Sequence, residues 1–257
     1  MKIATFNANG IRARMAGLLE WLQQEAPDVL CIQETKVQDP DFPLAALEET
    51  GYHCAFKGQK SYNGVAVLSR QAPEDAVSGF GPDDATEGPR LIRATLYDCV
   101  IVNTYIPQGQ AVGSEKFAYK LNWYARLLEY FENNFTPDIP IIWVGDFNVA
   151  PLPIDVYDPE KLAGSVCFHP DEHRALASVM NWGFTDVFRK HRPEEKSFSF
   201  WDYRIPNAVK RGLGWRIDHI CATKPAADRS TDCWIDIAPR MKPKPSDHTY
   251  VIAEFDI

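Results

Sequence analysis

Short apolar runs that stop abruptly at polar side chains recur along this chain. Ile3-Ala4-Thr5-Phe6 precedes Asn7 and Asn9, and Val29-Leu30-Cys31-Ile32 precedes Gln33 and Glu34. Val100-Ile101-Val102 precedes Asn103 and Tyr105, and Ile139-Pro140-Ile141-Ile142-Trp143-Val144 runs into Gly145, Asp146, Phe147 and Asn148. Runs of this length, rich in β-branched residues and bounded by turn formers, read as interior strands. Asp146 and Asn148, two apart, share one side if the extended geometry continues. The pattern predicts several strand ends converging on one site.

Between the first two runs, Leu18, Leu19 and Leu22 stand at helical spacing within Met15 to Glu25, just before Pro27, which predicts strand, helix, strand. Tyr52 to Gly58, Gly64 to Ser69, Arg90 to Leu96 and Cys99 to Tyr105 then read as extended segments joined by short loops, as antiparallel neighbours would be. Lys116 to Asn134 places Tyr119, Trp123, Leu127, Tyr130 and Phe131 on one helical face, and a second helix is expected near Glu172 to Met180. Packed sheets with helices outside, in the α/β class, follow from this order. No linker-like stretch and no internal period interrupts the 257 residues, so one domain over 1–257 is expected.

Composition narrows the function classes. There is no charged segment followed by a leader-like apolar stretch at Met1-Lys2-Ile3, and no apolar run long enough to span a bilayer, so a cytoplasmic protein without membrane contact is expected. Cys31, Cys54, Cys99, Cys167, Cys221 and Cys233 are scattered singly, which reads as reduced thiols rather than a zinc site. The net charge of −8 argues against a polyanionic partner. Its distribution qualifies that: acids crowd Glu74 to Glu87, while Arg12, Arg14, Lys36, Lys57, Lys60, Lys210, Arg211, Arg216, Lys242 and Lys244 stand beside the predicted strand ends. A basic face and ordinary solvated charges both remain open at this level.

The residues at the strand ends carry the chemistry. Glu34, Asp146, Asp218 and Asp247, with Asn7, Asn9 and Asn148, offer oxygen ligands without thiols, which suits a hard cation such as Mg²⁺ or Mn²⁺. Clustered carboxylates would repel one another unless a cation joined them. His248, in Pro245-Ser246-Asp247-His248 before the last strand, Tyr250 to Phe255, has an acid to orient it in Asp218. An oriented imidazole beside a metal suits phosphate ester hydrolysis.

These residues fall into blocks. Asn7-Ala8-Asn9-Gly10-Ile11-Arg12, Gln33-Glu34-Thr35-Lys36, Tyr62-Asn63-Gly64-Val65-Ala66, Tyr105-Ile106-Pro107, Gly145-Asp146-Phe147-Asn148, Gly214-Trp215-Arg216-Ile217-Asp218 and Ser246-Asp247-His248 resemble, in order and over nearly the whole chain, the exonuclease III family of abasic-site endonucleases, in its bacterial form. The Gly-Asp-Phe-Asn and Ser-Asp-His blocks are shared with the wider endonuclease/exonuclease/phosphatase superfamily, whereas Gln-Glu-Thr-Lys and Trp-Arg-Ile-Asp point to its DNA-repair branch.

The resemblance implies a four-layered sandwich, two mostly antiparallel sheets face to face with helices outside, and a substrate groove holding a divalent cation. By the same resemblance Glu34 is the principal metal ligand, with Asn9 and Asp247 close by and Asp146 and Asn148 within reach. Asp146 prepares the attacking water, Asp218 and His248 form the Asp-His pair, and Asn7, Tyr105 and Asn148 hold the scissile phosphate. Phe200, Trp215 and Ile217 resemble walls of an abasic-sugar pocket, though core packing explains them nearly as well. Arg12, Lys36, Lys116, Lys120 and Arg204 are placed on the DNA backbone. The implied activity is Mg²⁺-dependent cleavage 5′ to abasic sites in double-stranded DNA, with 3′-phosphatase, 3′-phosphodiesterase and 3′-to-5′ exonuclease activity, by a monomer.

Two departures bear on that reading. Cys167, in Ser165-Val166-Cys167-Phe168-His169-Pro170-Asp171-Glu172, stands where the family often has a smaller residue, and Leu152 to Gly164 follows no familiar form. A larger side chain at 167 narrows access, which keeps a 3′-end-trimming exonuclease in view. The long N-terminal extension of animal relatives is not expected here, nor the functions residing in it. A superfamily phosphoesterase acting on an inositol phosphate or sphingolipid, and an RNA-associated binding protein without catalysis, are the more distant alternatives.

Overall fold

The computed structural model describes all residues except 82–87, so Asp83, Asp84 and Glu87 of the acidic stretch lie outside the described residues. Among the described residues twelve strands form two six-stranded sheets. The first holds β1 (Lys2–Asn7), β2 (Val29–Gln33), β3 (His53–Lys57), β4 (Val65–Ser69), β11 (Ser230–Asp236) and β12 (Tyr250–Phe255), in the order β11-β12-β1-β2-β4-β3. The second holds β5 (Ala76–Ser78), β6 (Leu91–Leu96), β7 (Cys99–Tyr105), β8 (Ile141–Asp146), β9 (Phe184–Asp186) and β10 (Asp218–Thr223), in the order β5-β6-β7-β8-β10-β9. Each contains one parallel pair, β1 with β2 and β7 with β8, and is otherwise antiparallel. The predicted run of antiparallel neighbours is therefore split: β3 and β4 end one sheet, and β6 and β7 belong to the other.

Both parallel pairs are joined through a helix, as a parallel connection requires. The first crossover is α1 (Ile11–Glu25), which starts four residues before the predicted Met15. The amides of Gly10 and Ile11 donate to the carbonyls of Glu34 and Thr35, so the helix start is secured by a distant loop that local periodicity cannot reveal. It ends at Ala26, left-handed at φ 45° ahead of Pro27. The second crossover is the long Glu115–Asn134 helix, capped by Ser114, whose side chain accepts from the Phe117 amide.

Alternation along the strands builds the layers. Ile3, Val29, Cys31, Val65 and Val67 meet Ile92, Ala94, Ile101, Ile142, Val144 and Ile220 between the sheets. Ala4, Phe6, Leu30 and Ile32 point outward onto Leu18, Trp21 and Leu22 of α1, and Val102, Ile141 and Trp143 onto Trp123, Leu127 and Phe131 of the long helix. Burial of each large aliphatic or aromatic side chain stabilises the fold by roughly 1.5–3 kcal/mol. Gly145 lets β8 lie against β7: at φ 140° it carries no Cβ, and one would sit 1.9 Å from the Thr104 carbonyl oxygen. Cys31, Cys99, Cys167, Cys221 and Cys233 are buried, Cys54 is half-buried, and all are free thiols.

Candidate active site

Five strand termini deliver the polar residues to one rim. β1 ends at Asn7, β2 just before Glu34, β7 at Tyr105 and β8 at Asp146, and β10 begins at Asp218, directly opposite Asp146 in the antiparallel register. The short span before β12 adds Asp247 and His248. These residues frame a cavity of about 800 Å³ whose walls include Glu34, Tyr105, Asp146, Asn148, Asp247 and His248 on the polar side and Cys167, Phe200, Trp215 and Ile217 on the apolar side.

Hydrogen bonds order this rim. The Asn7 Nδ2 group donates to Glu34 Oε1 at 2.9 Å and to Asp146 Oδ2 at 2.8 Å, joining the two sheets across the site. Asn9 Nδ2 donates to Asp247 Oδ1 at 2.9 Å. His248 Nδ1 lies 2.8 Å from Asp218 Oδ2, and its Nε2 lies 3.8 Å from Asp146 Oδ2. Asp146 also accepts the Asn148 amide at 2.9 Å. Extended geometry does not continue past Asp146: Asn148 adopts φ 52° and its Nδ2 donates to the Ile106 carbonyl, so the turn, rather than strand alternation, brings both side chains to the cavity.

Electrostatics separates the roles of these groups. Burial pushes the Asp146 carboxyl up to about 7, reinforced by Asp218 and Glu34, although His248 and Asn7 act the other way. Burial alone would push His248 down, but Asp218, Asp146 and Asp247 hold it up at about 10, so it is a cation at neutral pH. Burial, with Glu34 and Asp146 nearby, raises the Tyr105 phenol well above its ordinary value and keeps it a neutral donor. A carboxylate titrating near 7 beside a fixed cation is suited to taking a proton from water.

Two groupings of this site offer ligands to a metal. Asp146, Asp218 and His248 place one donor atom each within 4.8 Å of one another. A protonated His248 already neutralises that triad in part. Glu34, Asn9 and Asp247 form the other, and there the Lys36 ammonium stands in for a cation, 2.7 Å from Glu34 Oε2 and bonded to Asn9 Oδ1. An all-oxygen set that gathers a cation fits a hard divalent ion.

The basic residues divide. Arg204 reaches the cavity rim, fully exposed at its tip and paired with Asp202. Arg12 is exposed and paired with Asp41, and Lys116 borders a neighbouring hollow with Gln59 and Arg90. Lys120 corrects its expected placement on the DNA backbone: its side chain is wholly buried, ion-paired with Glu172, because the helical face it occupies turns inward beneath the site. Arg216 likewise leaves the basic face, since it is buried between Asp155 and Asp186. Unforeseen neighbours include Gln108, which lines the cavity, and Arg90, whose guanidinium lies 4.6 Å over the Tyr105 ring. Polar positions inside apolar strands were the available signal for the buried Gln33–Asn103 pair, 2.6 Å apart across the two sheets.

Comparison with known proteins places the chain in a family and matches its fold. The model of the endonuclease/exonuclease/phosphatase family matches residues 4–248. Exodeoxyribonuclease III of Haemophilus influenzae is 36% identical over 99% of this chain and 100% of its own. Among solved structures, an AP endonuclease from Archaeoglobus fulgidus superposes with a TM-score of 0.96 at 46% identity, and a Neisseria 3′ phosphatase bound to a product DNA hairpin with 0.95 at 36%, each covering all of both chains. Two mixed six-stranded sheets with helices outside are common ground, and among the described residues no helix is long and apolar enough to cross a membrane.

Proposed function

The chain belongs to the endonuclease/exonuclease/phosphatase family, and from that premise we propose that it is a DNA-repair nuclease that hydrolyses the phosphodiester 5′ to abasic sites in duplex DNA and trims blocked 3′ ends at the same site. The observation that carries this reading is geometric: the buried Asp146 carboxylate lies 3.8 Å from His248 Nε2, in the wall of a cavity with one apolar side, and burial pushes that carboxyl up. Water attacks phosphorus in line with the 3′ oxygen. Asp146 takes its proton, the P–O3′ bond breaks, the departing 3′ oxygen takes a proton from water, and the products are a 3′-hydroxyl and a 5′-phosphate. His248, the Tyr105 hydroxyl and the Asn148 amide hold the charge that builds on the phosphate oxygens. Glu34, Asn9 and Asp247 would hold a divalent cation, Mg²⁺ or Mn²⁺, which supplies neutralisation of the phosphate and of the departing oxygen.

Phe200, Trp215 and Ile217 receive the base-free sugar, and a nucleotide without a base loses little stacking when it leaves the helix. Arg12, Lys116 and Arg204 serve the flanking phosphates, which positions DNA without reading its sequence. The end-trimming alternative is favoured by one observation: the Cys167 thiol stands in the cavity wall, 3.9 Å from Asn148 Oδ1 and 4.0 Å from Gln108 Nε2. A labelled duplex with one internal abasic analogue, beside one ending in a 3′-phosphate, decides between them. Mg²⁺-dependent incision of the first, abolished by EDTA, is the expected result. Release of phosphate from the second alone would assign an end-trimming enzyme, and no reaction with either would overturn the nuclease reading.

A further inference from the structure

Beneath the cavity lies a charge that the proposed chemistry does not use. Lys120, on the inward face of the long helix, has no exposed side-chain surface, and its ammonium donates to the Asn148 carbonyl at 2.6 Å, to the Gln108 carbonyl at 3.2 Å and to the Glu172 carboxylate. One turn further along the same helix, the Tyr124 hydroxyl donates to the Phe147 carbonyl at 2.7 Å. Two consecutive carbonyls of the turn that follows Asp146 are thus held by an i, i+4 pair.

The other end of the ion pair is equally committed. Glu172 is wholly buried, and its second oxygen accepts the His169 amide at 3.1 Å, capping the Pro170–Asn181 helix. That cap closes the loop carrying Cys167, whose carbonyl accepts the Ala150 amide at 2.8 Å. Gln108, Asn148 and Cys167, one from each tethered segment, all line the cavity.

A buried ion pair of this kind adds little net stability over apolar side chains of similar size. What the lysine supplies that an apolar residue cannot is three directed bonds to three separate segments. We propose that Lys120 is a positioning residue for the reaction: acting with Glu172, it fixes the Asn148 turn and the two lips of the cavity at Gln108 and Cys167, and so sets where the Asn148 amide meets the scissile phosphate. This rests on the nuclease reading for its catalytic consequence, while the clamp itself is a property of the free protein. Displacements of about 1 Å at a reacting group reduce rates by roughly a hundredfold, so a loosened turn is felt in the chemical step.

The test uses Lys120→Met and the double variant Lys120→Met/Glu172→Gln. The single variant strands a buried carboxylate and is at risk of unfolding; the double removes both charges and keeps an acceptor for the His169 amide. In the double variant, single-turnover cleavage with Mg²⁺ is expected to fall at least tenfold, while affinity for the abasic duplex in EDTA and its salt dependence stay as in the parent. Because the effect runs through Asn148, the same change in an Asn148→Ala background should cost less than threefold. Amide exchange, measured without DNA or metal, should quicken at 108–110, 147–150 and 165–169 and not elsewhere.

Multiplicative losses in the two backgrounds would overturn the proposal, as would weakened DNA binding with a shallower salt slope, which is the mark of a phosphate contact. Unchanged exchange, or exchange quickened throughout the chain, would overturn the clamp. If the parent protein cleaves neither test duplex, the nuclease reading fails, and the exchange measurement still decides whether Lys120 holds the three segments.

Discussion

Arg216 and Asp218 are two residues apart, yet they belong to buried charge clusters of opposite character. Around Arg216, two carboxylates meet two guanidinium groups: Arg216 bonds Asp155 at 2.6 and 3.1 Å and Asp186 at 2.8 Å, and Arg189 bonds Asp155 as well. His219 stays neutral, pushed down to about 4 by burial and by Arg216, with Nδ1 facing the guanidinium and Nε2 against the Val149 carbonyl. Around Asp218, four carboxylates, Glu34, Asp146, Asp218 and Asp247, find ion-pair partners among the described residues in His248 and Lys36, and Asp218 Oδ1 is buried without a hydrogen bond. Burial acts to raise Asp146, Asp155 and Asp186 alike. The arginines bring Asp155 and Asp186 below the usual carboxylate range, whereas Asp146 is left at about 7. The same chain can satisfy buried acids completely, and the place where it does not is the place suited to proton transfer and cation binding.

Breaking each cluster should therefore have opposite consequences. Asp146→Asn is expected to lower cleavage of an abasic duplex by about 10³-fold, the scale of a lost general base. In EDTA the same substitution should stabilise the fold by about 1 kcal/mol, because it relieves unbalanced charge. Asp155→Asn should do the reverse. Removal of one partner from a satisfied buried pair costs about 3–5 kcal/mol, read as a lower urea midpoint, while the chemical step of the surviving folded protein changes little.

The pH dependence of stability sharpens the contrast. Asp146 has its native pKa raised from 3.8 to about 7, so the native state keeps a proton that the unfolded chain has released, and in EDTA its contribution falls as pH rises from about 4 to about 7. The slope is at most about 1.4 kcal/mol per pH unit. His248, raised from 6.5 to about 10, extends the decline above neutrality. Asp155 and Asp186, with lowered values, contribute stability that is present above 3.8 and lost only as pH falls further. His219, lowered from 6.5 to about 4, adds stability over much of the same window in both proteins, so the contrast is read as a difference: in urea unfolding the parent should lose stability relative to Asp146→Asn as pH rises from 4.5 to 7. A stability difference between parent and Asp146→Asn that stays constant over that range would break the comparison.

Added cation should give a smaller effect than the loss of Asp155. Mg²⁺ at a hundredfold excess over its dissociation constant stabilises by about 2.7 kcal/mol if it binds only the native state, and less at lower excess. The increment should vanish in Glu34→Gln and persist in Asp155→Asn. A thermal shift retained by Glu34→Gln would move the cation to the Asp146, Asp218 and His248 grouping.

Periodicity sufficed for the local elements because it is a local property. The apolar runs ending at Asn7, Glu34, Tyr105 and Asp146 became β1, β2, β7 and β8, and the face of Trp123, Leu127 and Phe131 became the buried side of the long helix. Most of the side chains expected at the site, among them Glu34, Tyr105, Asp146, Asn148, Asp247 and His248, line one cavity. The misplacements share a cause. Lys120 and Arg216 are long cations whose carboxylate partners are distant in sequence, and nothing nearby in the chain discloses that Glu172, 52 residues from the first, and Asp155, 61 residues from the second, lie against them.

By itself, then, the amino-acid order determined the main strands and the longer helices, which polar residues stand at the strand ends, and that these are oxygen donors suited to a hard cation. The tertiary structure alone decided how the strands divide between two sheets and which cations neutralise which acids. It also decided which acid is left at about 7. The physical reason is that propensity and capping act over a few residues, whereas desolvation and ion pairing depend on what the fold brings within a few ångströms, without regard to separation along the chain.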